Sequence, residues 1–290
     1  MTDESAIAVG VPAFQRPEAL DRFLASVPAG VSRVIIADNG PPGAHADIYA
    51  AEWPVEIDVL DLGHDVGIGA CRDAISQVAT EDYLWMGDCD MEFTRADDLR
   101  ILQAILDAHD DLGGVSGWLV EGDVVRSGAR DLHQVGEWVI KDGTDPAVEL
   151  EPYPHARFDF IPQAGLFKAA VFESYGYDAD LTTHEHMDFF WGHKARETGW
   201  NWASTPMVQI RHNRWIDSEY RQSRGQHNTD YEYLQAKWGI TGTVPGRNSD
   251  WAQHRDRTWK EQAFGAFRAL TPPRVWVPVR QTALKLGIDS

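Results

Sequence analysis

Tyr83-Leu84-Trp85-Met86-Gly87-Asp88-Cys89-Asp90 is the stretch that decides how this chain is read. Four apolar or aromatic residues in a row suit a strand buried on both faces, and a glycine followed by acids ends it. In an extended segment residues i and i+2 point the same way, so Asp88 and Asp90 present two carboxylates to one side. Such a pair can chelate one hard cation, Mg2+ or Mn2+. A cation held there neutralises diphosphate oxygens and stabilises a departing nucleoside diphosphate. In an acidic chain Asp-x-Asp alone is as easily a solvated turn. Its position directly after a buried strand gives it weight.

Upstream of this stretch the same pattern repeats. Ala6 to Val11 is a short apolar run ending at Pro12, and Ser32 to Ala37 is a second, stopped by Asp38-Asn39-Gly40-Pro41-Pro42. Residues 55–62 form a third strand candidate. Helical spacing separates them, over 18–27 with Leu20, Phe23, Leu24 and Val27 on one face, over 67–78, and again over 97–108. Strands alternating with helices give an α/β domain with a largely parallel sheet. Ligands of such sheets bind beyond the carboxyl ends of the strands. Gln15-Arg16, Asp38-Asn39, His64-Asp65 and Asp88/Asp90 each follow a strand directly, so these loops converge on one edge.

Downstream, residues 113–140 are short and alternating, with turns at Glu121-Gly122-Asp123 and Ser127-Gly128, which predicts antiparallel strands. An aromatic-rich helix is predicted over 182–197 and a late strand over 207–210, ending at Arg211-His212. Beyond about residue 215 the composition shifts to Trp, Tyr, Arg and Gln with helical spacing. The predicted division is a catalytic domain over 1–215, with a nucleotide half to about 110 and an acceptor half from 111, and a helical C-terminal extension over 216–290.

Three further groups carry chemistry. Gly67 and Gly69 open the helix that holds Arg72; glycines there let the backbone approach a ligand, and a helix N-terminus favours anions. The alternative is a packed helix start. Thr183-His184-Glu185-His186-Met187-Asp188 sets carboxylates and imidazoles where a general base could reach an acceptor hydroxyl. A zinc site of His184, His186, Asp188 and His193 competes with that reading, but no familiar zinc spacing is present. His212 suits a third ligand to a cation on Asp90, since imidazole binds Mn2+.

Composition sets limits. A chain of 290 residues that is 43% hydrophobic can bury a full core. A formal net charge of −19 argues against nucleic acid as partner, because phosphate binding needs a basic surface. Asp dominates the acids and Arg outnumbers Lys, a balance that suits salt-rich surroundings, where screening relieves self-repulsion. Two cysteines, Cys71 and Cys89, make no disulfide framework and point to a reducing compartment. The first residues do not read as a signal peptide, and no apolar run is long enough to span a membrane.

With these residues in hand, the chain resembles the family 2 glycosyltransferases, which have the GT-A fold. Ala6 to Pro17 resembles the opening strand and its loop, so Pro12, Ala13, Phe14 and Arg16 fall at the nucleotide. Val34 to Gly40 resembles the second strand, whose Asp binds the nucleotide, here Asp38 beside Asn39. Asp65-x-Gly67-x-x-x-Cys71-Arg72-Asp73 is similar to the Asn-x-Gly-x-x-x-Ala-Arg-Asn segment, with Asp65 and Asp73 in place of Asn. Tyr83 to Asp90 matches the metal-binding Asp-x-Asp strand. Glu185-His186-Met187-Asp188 stands where the family has Glu-Asp-x-Asp, so His186 occupies the usual place of the base.

The resemblance implies a GT-A type α/β fold, Rossmann-like, with a mostly parallel central sheet flanked by helices. It implies inverting transfer of a sugar from a nucleoside diphosphate donor, UDP-sugar favoured, to a glycan or lipid-linked acceptor. It also implies Mn2+ or Mg2+ on Asp88, Asp90 and His212. The base falls among Asp188, Glu185 and His186; Asp188 is favoured because a carboxylate is ionised at neutral pH without tuning. A cytoplasmic enzyme follows, working at the inner face of the membrane if the Val, Trp, Leu and Arg mix of residues 272–286 lies on lipid. The rival readings are a nucleotidyltransferase on a related sheet and a binding module without turnover. The first needs a glycine-rich basic loop after the opening strand, which Pro12 to Pro17 lacks.

Overall fold

The computed structural model describes residues 6–143, 146–213 and 230–245, and beyond these 267, 270–272, 275, 276, 278 and 279. Four parallel strands build the first half: β1 (Ile7–Ala13), β2 (Arg33–Asp38), β3 (Glu56–Asp61) and β4 (Tyr83–Met86), in the order β4-β1-β2-β3. Between them run α1 (Pro17–Ser26), the short α2 (Ala46–Tyr49) and α3 (Ile68–Val78). After β4 come β5 (Met91–Phe93), α4 (Asp98–Ala108), β6 (Leu112–Glu121), β7 (Val124–Arg126), β8 (Asp131–Val135) and β9 (Trp138–Asp142). Then follow β10 (Val148–Glu149), β11 (His155–Phe158), β12 (Gly165–Lys168), α5 (Ala170–Ser174), α6 (Glu185–Ala195) and β13 (Asn201–His212). The last described elements are α7 (Asp230–Trp238) and β14 (Gly242–Pro245).

β1 is buried at every position because helices cover both faces of the sheet. Its alternate residues feed two cores. Val9, Val11 and Ala13 pack with Leu20, Phe23 and Leu24 of α1 and with Leu102, Ile105 and Leu106 of α4. Ala8 packs on the opposite face with Ile75 of α3 and with Phe167, Phe189 and Phe190. Each fully buried Leu or Phe contributes about 1.5–3 kcal/mol, so these two layers hold the sheet between helices. Gly10 lies on the α3 face, where a Cβ would come within 2.4 Å of the Ile75 side chain.

β1 to β4 are parallel to one another, in line with the largely parallel sheet expected, but the sheet continues as a mixed one. β12 runs antiparallel to both β4 and β6, and β13 runs parallel to β6. The path ends β6-β13-β11-β10. β5, only three residues long and unmarked in the sequence, pairs antiparallel with the end of β13 and sets His212 opposite Met91. β8, β9 and β14 form a separate three-stranded sheet.

The expected strand and helix positions of the first 110 residues are found within one or two residues. The C-terminal stretch is not helical throughout, since β14 adds in parallel to β9. The proposed domain division near residue 215 falls at the edge of a stretch outside the described residues, as does most of 272–286.

Candidate active site

The carboxyl ends of β1, β2 and β4 meet the ends of β6 and β13, which run antiparallel to β12 and so bring their last residues to the same rim. Two ion-paired corners form there.

The first corner is built on Asp90. It is almost fully buried, and its Oδ2 accepts a hydrogen bond from Nη1 of Arg16 at 2.7 Å. Arg16 has φ of 80°, a left-handed conformation that costs a non-glycine residue about 1 kcal/mol or more and recurs at functional sites. Pro17 then begins α1 with its preset φ. The Nε2 of His212 lies 3.7 Å from Oδ1 of Asp90. Its Nδ1 is 2.7 Å from the carboxylate of Glu121, the last residue of β6. That carboxylate fixes Nδ1 as the protonated nitrogen and turns the Nε2 lone pair toward Asp90. The backbone N–H of Asn213 donates to the Asp90 carbonyl at 2.9 Å and locks the pairing.

Oδ1 of Asp90 is buried and has no hydrogen-bond partner. Burial, and after it the charge of Asp88, raises the pKa of Asp90, while the guanidinium of Arg16 opposes the rise. An orphaned carboxylate oxygen facing an imidazole lone pair is an arrangement a divalent cation satisfies, since N and O ligands of one ion sit roughly 3 Å apart. Asp90 and His212 therefore fit the group the resemblance implies, and Asp88 stands beside them with its carboxylate partly exposed.

The second corner is built on Arg72, which is buried in α3. Its Nη2 donates to Oδ1 of Asp88 at 2.6 Å, and its Nη1 donates to Glu185 at the start of α6. Burial works against the guanidinium charge, but Glu185 and then Asp88 outweigh it, and the pKa of Arg72 is raised. Its Nε is left without a partner.

Asp38, at the end of β2, accepts from Tyr49 Oη at 2.8 Å, from the Gly40 N–H at 2.9 Å, and from Nδ1 of His45 at 3.1 Å. The Oδ1 of its neighbour Asn39 is buried with no partner. Phe14 stacks on His64 with ring centroids 5.6 Å apart. Asp65 is exposed with φ of 56°, its N–H held by the Asn39 carbonyl. Pro12 and Ala13 are buried at the end of β1.

Some expectations fail on geometry. The α3 N-terminus does not offer its first N–H groups to a ligand. Ile68 donates to the Thr182 carbonyl and Gly69 to the Leu181 carbonyl. A Cβ on Gly69 would meet the carbonyl oxygens of Asp178 and Leu181 at 2.3 Å. Gly67 and Gly69 thus serve close packing of α3 on the 178–182 loop. The favoured base has partners of its own. Asp188 is fully buried, and its carboxylate accepts from Tyr175 Oη at 2.6 Å, Trp238 Nε1 at 2.6 Å and Lys237 Nζ at 2.9 Å. It ties α6 to α7.

The zinc alternative is dispersed as well. His184 pairs with Asp230, His193 bonds Thr198, and Nε2 of His186 donates to the Ile161 carbonyl at 2.8 Å. Burial, then the charges of Arg72 and Lys141, hold the pKa of His186 well below the ordinary imidazole value.

Sequence reasoning missed several contributors. Glu121 is a carboxylate directly after a strand, the same signal that marked Asp38 and Asp88, yet it had read only as part of a turn. Lys141 on β9 lies 4.5 Å from the centre of the Phe160 ring, and that ring lies 4.4 Å from His186. Burial, then Arg130, lowers the pKa of Lys141 to about 8. Neither Lys141 nor Arg130 has a carboxylate within ion-pair distance among the described residues. Asp230 accepts from the backbone or hydroxyl groups of Thr182, Thr183 and His184 and so fastens the loop before α6 to α7.

A family model for glycosyl transferase family 2 matches residues 8–172, more than half of the chain. No curated protein matches the chain in sequence. Among solved structures, GalNAc-T7 with UDP, GalNAc and Mn2+ superposes with a TM-score of 0.59 at 14% identity, over 75% of this chain and 45% of that one. The mannosyltransferase PcManGT from Pyrobaculum calidifontis, in complex with GDP-Man and Mn2+, gives 0.54 at 14% identity, over 81% and 65%. S. aureus TarS 1-349 gives 0.53 at 14% identity, over 80% and 64%. The chain thus spans less than two thirds of the length of each of these structures. At such identities the likeness is one of fold, the GT-A fold.

Proposed function

Because the chain belongs to glycosyl transferase family 2, we propose that it moves a sugar from a nucleoside diphosphate donor to a hydroxyl acceptor, with Mn2+ or Mg2+ bound at Asp90, His212 and Asp88. The observation that carries this reading is the orphaned Asp90 oxygen facing the oriented Nε2 of His212. A cation held there would supply positive charge for the departing diphosphate. The solved structures that share the fold, with UDP or GDP-Man and Mn2+, support the same choice of donor class and metal.

The nucleotide lies in this reading along Pro12, Ala13, Phe14, Asp38, Asn39 and Asp65. The unpartnered Asn39 oxygen accepts a donor from base or ribose, and Asp38 does so beside its own buried partners. UDP is the favoured nucleotide. Arg72 bridges Glu185 and Asp88, so a diphosphate arriving at Asp88 competes for the guanidinium and frees Glu185. Glu185 then takes the acceptor hydroxyl proton as the acceptor oxygen attacks the anomeric carbon in line. The bond from that carbon to the diphosphate breaks, and the nucleoside diphosphate leaves with the electron pair. One displacement inverts the anomeric centre. Glu185 is preferred over Asp188, whose oxygens are taken up by α7, and over His186, which is too weak a base when its pKa is depressed.

Lys141 and Arg130 support an acceptor that carries negative charge close to its reacting hydroxyl, as a diphosphate-linked lipid glycan does. In a chain of net charge −19, two cations beside Phe160 with no carboxylate within ion-pair distance among the described residues are a selective feature. Trp276 is buried against Ile140 and Val244, while Val275 and Val279 are exposed. That placement supports peripheral contact with the cytoplasmic face of a membrane, and no described helix is long and apolar enough to cross one.

The test is release of free nucleoside diphosphate from a panel of nucleotide sugars with Mn2+, with Mg2+ and with chelator. Metal-dependent turnover of one donor supports the proposal. Nucleotide binding with no turnover of any donor, with anionic lipid-linked and soluble glycan acceptors present, leaves the binding module.

A further inference from the structure

A second group of ligating side chains lies away from the Asp88–Asp90 rim. His109 follows the last residue of α4, just before β6 begins, whereas Glu121 of the cation corner ends β6. The two groups are thus at opposite ends of one strand. Glu149 and His155 are direct cross-strand partners on β10 and β11. One donor atom from each of His109, Glu149 and His155 lies within 4.8 Å of the others.

The orientation of His155 is decisive. The side chain is fully buried, its Nδ1 is 2.9 Å from the Tyr153 carbonyl, and its Nε2 has no hydrogen-bond partner. A carbonyl accepts only, so Nδ1 carries the proton and Nε2 presents a lone pair. That lone pair faces Oε2 of Glu149 at 3.6 Å. Two acceptors at this distance in a buried place repel unless a cation or a proton lies between them. The same Oε2 is 4.0 Å from Nδ1 of His109, whose ring meets that of His155 with centroids 4.8 Å apart. The other Glu149 oxygen accepts from Arg157 Nε at 2.6 Å, and Lys168 Nζ donates to the His109 carbonyl at 2.9 Å. Arg157 orients the carboxylate, the Tyr153 carbonyl fixes the His155 imidazole, and the Glu151 carbonyl, 3.3 Å from Nε2 of His109, turns Nδ1 of that ring toward Glu149, as outer partners do around metal ligands.

We infer that His109, Glu149 and His155 form a binding site for a divalent transition metal ion, Zn2+ before Mn2+ or Mg2+. Two imidazoles and one carboxylate suit borderline ions, whereas the hard ions prefer oxygen donors. Around a tetrahedral zinc the donors stand about 3.3 Å apart, so separations that now run up to 4.8 Å need to close by at most about 1.5 Å. The ion would clip the β10–β11 edge hairpin to the end of α4. That edge carries the unpaired groups of an outer strand, so fastening it protects the sheet. The site leaves Glu149 partly exposed, which gives the ion an entry path.

The test is titration of the metal-free full chain with Zn2+ alone, by calorimetry and by melting point, repeated with Co2+ for its visible spectrum. A D90N/H212A variant removes the other cation corner and should still bind one Zn2+ with a raised melting point. Adding H109A or H155A to it should abolish that zinc and the tetrahedral Co2+ bands. Circular dichroism and the melting point without metal show whether the added variants are folded. Should H155A not fold, H109A, at a partly exposed position, decides. If D90N/H212A binds no zinc, or if the folded H109A version binds it as tightly, the site does not exist.

Discussion

Nε2 of His212 stands 3.7 Å from Oδ1 of Asp90, and no donor satisfies that buried oxygen. Glu121 sets the imidazole so that its lone pair faces the gap. Replacing Asp90 by Asn removes the charge the cation needs, and activity should fall at least 100-fold. Glu121→Gln leaves both ligands in place but loosens the imidazole, so Mn2+ affinity should fall about 10–100-fold. Activity titrated against Mn2+ concentration measures both. A Glu121→Gln enzyme with unchanged Mn2+ dependence would show that Glu121 does not orient a ligand.

Glu185 and Asp188 lie one helical turn apart and should behave differently. Glu185→Gln removes the proposed base and should lower kcat of the folded enzyme by roughly 100-fold to 10,000-fold with little change in donor affinity. Because it also leaves the buried Arg72 with Asp88 as its remaining charged partner, it should cost roughly 3 kcal/mol of stability as well, so kcat is the reading that separates it from Asp188. Asp188→Asn strips charge from a buried carboxylate that holds Tyr175, Lys237 and Trp238. It should cost roughly 2 kcal/mol of stability, because the hydrogen bonds that the buried carboxylate accepts lose its charge, while Lys237 keeps its ion pair with Asp178. Denaturant unfolding and kcat, measured on both variants, separate the roles. The reverse pattern would return the base to Asp188.

Asp230 links stability to pH. Its burial would raise its pKa, but the hydrogen bonds from His184, Thr182 and Thr183 win, and it is held below the usual carboxylate range. With the folded value below the unfolded value of about 3.9, its contribution is complete above that pH and is lost as pH falls through the folded value. Asp230→Asn should cost about 2 kcal/mol at pH 7, a fall of roughly 4–8 °C in melting point. The difference from the parent chain should shrink toward pH 3. A constant difference down to that pH would show that charge at Asp230 is not what holds the loop.

Lys141 should govern the acceptor and not the donor. Lys141→Met should raise the acceptor KM several-fold while leaving the donor KM unchanged. The pKa of Lys141 is lowered to about 8, so the acceptor KM of the parent enzyme should itself rise as pH passes from 7 to 9, when the ammonium is lost. Steady-state kinetics with charged and neutral acceptors read this. Equal effects on both acceptors would remove the electrostatic role.

The first 110 residues were legible because local signals and tertiary structure agree there. A run such as Val34-Ile35-Ile36-Ala37, short, rich in β-branched residues and bounded by a turn signal, reads as a buried strand, and Asp38, Asp88 and Asp90 stand at or just after strand ends. The second half resisted for physical reasons. β5 has three residues, too few for a period, and exists because β13 pairs with it. β14 has the composition of a loop and becomes a strand only against β9. Asp188 looked like a base because a carboxylate beside aromatics has no sign in the sequence of who binds it; Lys237 and Trp238 are about 50 residues away. The glycines of α3 could open a ligand site or pack a helix start, and only the folded chain shows the carbonyls of Leu181 and Asp178 lying against Gly69.

The central claim is that Asp90 and His212 hold a cation that carries a nucleoside diphosphate. Calorimetric titration of UDP and GDP into the protein with Mn2+, with chelator, and into the Asp90→Asn variant tests it most directly. The account predicts that one nucleotide, UDP first, binds only with Mn2+ and only to the parent chain. Equal binding with chelator, or undiminished Mn2+-dependent binding to the Asp90→Asn variant, would contradict it.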